Sequence, residues 1–404
     1  MERYKKILEE TETVELEGYG KGLPIWRPYG MQIMKNIVNR FIDHLYDKIK
    51  FEFVEHPMLI PKEEYLDLFE NIEFENLYTL DFNGRKYILK PDSLQFNFDY
   101  IFKHGIDAVL SIGTGYRYET GITPPLFRDR HIWPFVQFNH VIEAEEVEQT
   151  LLTHTNILSS LFEDLCLPHF FVDSGKKRNY GLHQINGMSF LDTDELTIIS
   201  MSYVLSESFS HHFNTRKKLI DTGFTEKLLA MCALLNIDEK GLILPSLIAP
   251  YNVVCFDRNE RPVSKDIIES TSQDNLRVYS DNSSRNIKRK FDIWEKKGVN
   301  ILILTDGNSI EKVVRRYDKK AEPFTSVRRL SEILKENDEF LRTRNRRFME
   351  KLNSENQEYY LQAFCKDCSL ETTVFGEIFP HKTAICECGK IGLEYLVTYD
   401  KKIY

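Results

Sequence analysis

Between Met31 and Ile49 the apolar residues Ile33, Met34, Ile37, Val38, Phe41, Ile42, Leu45 and Ile49 recur every three or four positions, with Lys35, Asn39, Arg40 and Asp47 between them. That spacing predicts a long helix with one buried face. Residues 22–30, Gly-Leu-Pro-Ile-Trp-Arg-Pro-Tyr-Gly, lead into it as a loop, and residues 51–57 leave it alternating like a strand that stops at Pro57. Short β-like runs follow at 77–82, 86–89, 108–112 and 132–138. Helical periodicity returns over 141–166, a strand is predicted at 196–204, and an apolar helix at 228–235 opens after Gly223. Because strands and helices rarely alternate here, the pattern predicts an antiparallel sheet flanked by helices, an α+β arrangement within the broad α/β class.

After Leu244-Pro245 the pattern changes. Strands at 253–256, 276–279 and 299–304 alternate with helices near 264–272, 284–297 and 325–352, the signature of a separate α/β unit. The expected domains are 1–240, 241–352 and 353–404, with no internal repeat and no low-complexity linker.

Composition narrows the class further. A chain of 404 residues with 42% apolar and 12% aromatic content can bury two or three cores. No apolar run reaches the length of a membrane span, and the acidic start carries no apolar leader, so a cytoplasmic protein without a membrane partner is expected. The net charge of −9 excludes a protein that is basic throughout. Basic residues nevertheless gather at 285–290, Lys296-Lys297, Arg315-Arg316, Lys319-Lys320, Arg328-Arg329 and 342–347. They read either as an RNA footprint or as solvated helix faces balanced by nearby acids.

Cysteine spacing supplies the sharpest local signal. Cys365 and Cys368 form one close pair and Cys386 and Cys388 another, separated by residues 369–385. Two thiol pairs on tight knuckles suit one tetrahedral Zn²⁺ in a closed, structural zinc-ribbon-like site. The plain alternative is four unconnected buried cysteines. Cys166, Cys232 and Cys255 stand singly in apolar stretches, as core thiols do, and no disulfide framework is implied.

Chemistry elsewhere concentrates on one loop. Tyr116-Arg117-Tyr118-Glu119 and Phe127-Arg128-Asp129-Arg130-His131 place three guanidinium groups and a carboxylate around one strand–loop–strand. Such forks bind phosphate oxygens in pairs, and a carboxylate beside them accepts from an exocyclic amine, so the loop can hold a nucleoside triphosphate. A surface hairpin with local salt bridges is the competing reading. No Walker loop, dinucleotide fingerprint, nucleophile elbow or His-Glu-x-x-His helix is present.

Several segments in order carry a resemblance: Pro57; Arg117, Glu119 and 127–130; Leu205, Phe209 and Ser210; 241–245 with Ala249-Pro250; 290–299; Arg315-Arg316; and the four cysteines followed by a terminal Tyr404. Over essentially its whole length the chain resembles the class II aminoacyl-tRNA synthetases, most closely the prolyl enzyme of archaeal and eukaryotic type. The resemblance implies a class II catalytic sheet, an anticodon-binding-like domain and a C-terminal zinc domain. It implies ATP with Mg²⁺, an amino acid substrate, a tRNA acceptor and a homodimer formed around Pro57. By the same resemblance Arg117 holds the α-phosphate, Glu119 meets the adenine amine, Arg128 and Arg130 hold the outer phosphates, and Lys290, Glu295, Arg315 and Arg316 face tRNA.

The chain also departs from that pattern. Lys227 stands where the family's third motif ends in arginine, keeping the charge and losing the flat fork. The proline-binding Thr-x-Glu aligns with Asp92-Ser93-Leu94, and Ser-His-His with Ser202-Tyr203-Val204. Asp92, Leu94 and Ser202 are therefore the expected amino-acid positions, and prolyl specificity is not expected to survive. His131 replaces a glutamate after the loop, while His211, His212 and Asn214 read as ordinary helix or loop residues. Two functions follow: an enzyme that activates an amino acid other than proline as its adenylate for tRNA or another acceptor such as a carrier, or an inactive dimeric paralogue that binds tRNA or a protein.

Overall fold

Proline at its first turn and a continuous apolar stripe define helix α2, Pro28–Tyr46, whose Ile33, Met34, Ile37, Val38, Phe41 and Leu45 are all buried. It follows α1, Glu2–Glu10, which buries Tyr4, Ile7 and Leu8 in the same core. The computed structural model describes residues 2–65, 77–119, 124–175, 180–272, 276–352, 359–368 and 374–398. Tyr404 lies outside the described residues.

Seven strands build the main sheet around that core: β1 (Glu52–Val54), β2 (Ala108–Tyr116), β3 (His131–Ile142), β4 (Phe170–Asp173), β5 (Gly181–Phe190), β6 (Leu196–Leu205) and β7 (Lys218–Phe224). Their spatial order is β4-β5-β6-β7-β3-β2-β1, antiparallel except for the parallel β1–β2 pair. One face packs on α2 and α4 (Val147–Asp164), which also pack on each other. Helix α3, Leu94–His104, crosses the other side with Leu94, Phe98 and Ile101 buried in a second cluster. The expected run of strands across this region missed α3, although those three residues at four- and three-residue spacing carry its signal. Two short helices complete the unit, α5 (Glu207–His212) and the almost wholly buried α6 (Lys227–Leu235).

The α/β unit has a five-stranded sheet of β8 (Val253–Asp257), β9 (Val278–Ser280), β10 (Ile301–Asp306), β11 (Ser309–Arg315) and β12 (Ala321–Glu322), in the order β9-β8-β10-β11-β12. The first three are parallel, linked through α7 (Lys265–Thr271) and α8 (Ile287–Lys296). Helix α9, Val327–Lys351, ties this unit to the main sheet. Near its middle Asp338 accepts from the Ser246 amide at 2.7 Å, and near its end Phe348 stacks on Phe190 at 5.7 Å.

The cysteine-bearing segment does not stand apart as an independent ribbon. Its strands β13 (Tyr359–Phe364), β14 (Val374–Phe379), β15 (Thr383–Ile385) and β16 (Ile391–Thr398) extend the main sheet to eleven strands, with β14 paired to β4. Covering β4 removes an exposed edge, and Ile378, Phe379 and Leu396 join the main core. At Gly376 an added Cβ would meet the Asp173 carbonyl at 2.3 Å, so this close approach requires glycine.

Candidate active site

Strand register assembles the site. Side chains directly opposite on neighbouring strands share a face. One row across the sheet runs Gln184, Tyr203, Asp221, Asn139, and the next runs Asn186, Met201, Gly223, Gln137. Gln184, Tyr203, Asp221, Met201, Gly223 and Gln137 floor a cleft of about 580 Å³, whose mouth is lined by Arg117, Glu119, Phe127, Arg128 and Lys227. At Gly223 a Cβ would lie 2.6 Å from the Val136 carbonyl, so the floor stays open there. A second, open depression beside Lys62, Asn83 and Arg85 is lined mostly by exposed residues and gathers no comparable chemistry.

Arg117 connects mouth and floor. Its Nη2 donates to Asp92 Oδ2 at 3.2 Å, its Nε to the Pro91 carbonyl at 3.3 Å, and its plane sits 5.3 Å from the Phe135 ring centre. Asp92 is buried and also accepts from the Leu94 amide. Deeper in, Asp221 accepts at Oδ1 from Asn139 Nδ2 at 3.0 Å and from Gln137 Nε2 at 3.5 Å. Burial, reinforced by the nearby Asp92 charge, pushes the Asp221 carboxyl up to about 7. Tyr180 packs edge-on against Tyr203 at 4.9 Å and closes this end.

The mouth is cationic. Lys227 opens α6, donates to Thr197 Oγ1 at 2.6 Å and lies 4.8 Å from the Phe127 ring centre. Burial, followed by the Arg128 charge, pulls its amine down to about 7. Arg128 is exposed, whereas Arg130 lies over Tyr118 at 4.9 Å and donates to the Glu119 carbonyl at 3.1 Å. Asp129 and Glu226 also line the cleft; burial pushes Asp129 up to about 6 and holds Glu226 well above the usual carboxylate range.

No family model matches the chain. Curated relatives do: a proline–tRNA ligase of Methanopyrus kandleri is 27% identical over 361 residues, spanning 80% of this chain and 74% of the relative. One from Methanothermobacter thermautotrophicus is 24% identical over 397 residues, spanning 88% and 81%. Among solved structures, Giardia lamblia prolyl-tRNA synthetase in complex with prolyl-adenylate superposes with a TM-score of 0.83 at 18% identity, over 100% of this chain and 98% of that one. This chain is a divergent relative of the prolyl-tRNA ligases. Its fold is the class II synthetase fold, with the large antiparallel sheet and flanking helices read from the sequence.

In the structure the expected amino-acid positions separate. Asp92 lines the cleft. Leu94 turns the other way, into the apolar cluster beneath α3, and does not line it. Ser202 lies on the opposite face of the sheet, accepting from Thr222, whose hydroxyl also meets His154 on α4. Alternation along the strand gives the cleft to its neighbours Met201 and Tyr203 instead. Asp221, Gln137, Gln184 and Tyr180 were not singled out in the sequence. The available signal was an aspartate that directly follows Leu219 and Ile220 within a strand.

The four residues expected at tRNA are engaged within the chain. Lys290 is buried and donates to the Asp281 carbonyl at 2.9 Å. Glu295 pairs with Lys240 at 3.6 Å. Arg315 pairs with Asp318 at 2.7 Å and Glu322 at 3.2 Å. Arg316 is buried in a two-bond fork with Asp238, at 2.8 and 2.6 Å, which holds that carboxyl well down despite its burial. Exposed cations in the basic clusters include Arg285, Lys288, Arg289, Lys319, Lys320, Arg328, Arg342, Arg346 and Arg347.

The cysteine knuckles converge. The Sγ atoms of Cys365, Cys368, Cys386 and Cys388 all lie within 4.8 Å of one another, with Cys365–Cys388 at 3.4 Å and Cys368–Cys386 at 3.6 Å. Four thiolates about 2.3 Å from one metal stand roughly 3.8 Å apart, so the cluster fits a tetrahedral zinc. Knuckle amides favour the thiolate at Cys365 and Cys386, bringing the latter to about 6. Among the described residues, no helix is long and apolar enough to cross a membrane.

Proposed function

We propose that this chain activates an amino acid other than proline with ATP, forming an aminoacyl-adenylate that is passed to tRNA or another acceptor. The observation that carries the reading is a single cleft with a cationic mouth, a carboxylate floor, and the Arg117–Asp92 pair between them. In the reaction, a carboxylate oxygen of the amino acid attacks the α-phosphorus of ATP in line and pyrophosphate leaves. Arg117 donates to the α-phosphate oxygens, where charge builds in the transition state. As it does so it releases Asp92 to receive the α-ammonium of the substrate. Glu119 meets the adenine amine, while Arg128, Arg130 and Lys227 hold the outer phosphates. Mg²⁺ accompanies the nucleotide and neutralises its phosphate charge.

The remaining parts are read as support. Residues 1–240 form the catalytic unit, 241–352 an anticodon-binding-like unit, and 353–404 a domain stiffened by one structural zinc. A homodimer fits the exposed aromatic rim of β1, where Phe53 and neighbouring Tyr46 are 48% and 61% exposed. We place the protein in the cytoplasm. Contact with tRNA would fall to Arg285, Lys288 and Arg289, since the four family positions are spent on internal pairs.

The test is ATP–pyrophosphate exchange by the zinc-loaded protein across the proteinogenic and several non-protein amino acids, with Arg117→Ala alongside. Exchange with one amino acid, reduced at least about a hundredfold in Arg117→Ala, is expected. The inactive-paralogue reading is favoured by Leu94 turned out of the cleft and by Lys227 in place of a guanidinium. Silence with every amino acid in folded protein would select it.

A further inference from the structure

Charge on the cleft floor does not balance. Asp92 and Asp221 both line it, the cleft's other charged groups, Glu119, Asp129, Glu226, Arg128 and Lys227, lie toward the mouth, and the cation paired within reach of the floor is Arg117, 3.2 Å from Asp92. Lys90 is buried nearby but donates to the His56 carbonyl and lies beside Glu55. Asp221 is 7% exposed, its two hydrogen bonds both end on Oδ1, and the donors are neutral amides. No hydrogen bond from a described residue reaches Oδ2. A carboxylate kept this deep without a cation is costly to the empty protein, which marks a group awaiting a ligand's charge.

The geometry also orders the substrate. With its carboxylate beside Arg117 and its α-ammonium on Asp92, an amino acid directs its side chain further in, toward Asp221. Gln184, Tyr203 and Tyr180 surround that end and offer polar edges. We propose that Asp221 is a specificity-determining residue and that the cleft selects an amino acid carrying a second amine on its side chain, a diamino acid. The inference rests on the amino-acid-activating reading of the same cleft and adds the class of side chain it admits.

Equilibrium binding tests this without requiring turnover. L-ornithine and L-norvaline share a three-carbon side chain and differ in the terminal amine. Titration calorimetry of the full chain with each, and with L-proline, is expected to show ornithine binding about ten- to a hundredfold tighter than norvaline. In Asp221→Asn that preference should collapse while norvaline binding changes little. Norvaline or proline binding as tightly as ornithine, or no binding by ornithine to folded wild-type protein, overturns the proposal. So does an equal loss for all ligands in Asp221→Asn, which would place the α-ammonium on both carboxylates. The wild-type comparison decides even if the variant does not fold. Ornithine preference without pyrophosphate exchange would sink the enzyme reading and leave this inference standing.

Discussion

Asp221→Asn should stabilise the empty protein, and only at the alkaline end of its pH range. In the folded chain burial and Asp92 raise the carboxyl from an ordinary 3.8 to about 7. Between those values the folded state binds the proton and the unfolded state does not, so wild-type stability falls as pH rises through this window and levels off above about 7. A shift of about three units at 1.36 kcal/mol each amounts to roughly 4 kcal/mol. The Arg117 charge is already contained in that shift, and about 3–4 kcal/mol is expected. Asparagine keeps an Oδ1 acceptor for Asn139 and has no charge to bury, so its stability lacks this pH term. For a chain of this size, thermal midpoints move roughly 1–2 °C per kcal/mol. Ligand-free melts should therefore show the variant about 3–6 °C above wild type near pH 8 and within about a degree of it near pH 4. The comparison between variants cancels every other titrating group that the substitution leaves alone. An equal interval at both pH values would refute the buried, raised carboxyl, and a less stable variant at pH 8 would mean that Asp221 is paired with a cation in the folded chain.

Further outcomes follow from the same geometry. Lys227 is charged below about 7 and neutral above it, so KM for ATP should rise from about pH 6 to 8.5 in wild type and stay level in Lys227→Arg; matching profiles would remove Lys227 from the nucleotide. Purified protein should hold about one zinc per chain. Because β14 hydrogen-bonds to β4, Cys386→Ser should speed amide exchange in residues 374–379 and also in 170–173, and protection unchanged in both would separate the metal from the sheet. Arg316→Ala should cost about 2–3 kcal/mol in urea unfolding by removing the buried fork on Asp238 and leaving it Lys319 as its cationic partner; a neutral result would mean that the fork adds nothing to the folded state.

Much was legible from local pattern. The α2 stripe, the change of alternation after Pro245 and the paired cysteines are signals within a few residues of chain, and local signals survive into the fold because they reflect backbone period and ligand spacing. The cluster Arg117, Arg128 and Lys227 at the cleft mouth was also foreseeable, since those side chains sit near one loop and one helix start. Leu94 and Ser202 were expected beside Asp92, yet one points into the cluster under α3 and the other toward α4. A strand reverses its side-chain face at every residue, so an alignment offset by one position selects the wrong face.

The charge clusters show the same limit from another side. Arg315-Arg316 and Lys290 looked like a surface for RNA, yet Arg315 and Lys290 are engaged by the nearby Asp318 and Asp281 carbonyl, and Arg316 by Asp238, far back along the chain. Amino-acid order alone determined the long helix α2, the large antiparallel sheet with flanking helices and the pairing of the cysteines on two knuckles, because each depends on neighbours close along the chain. Tertiary structure decided which side chains share the cleft and which charges remain unbalanced there. Gln137, Tyr203 and Asp221 come from separate strands, and only the register between antiparallel strands brings them to one floor, with Asp92 added from the turn before α3.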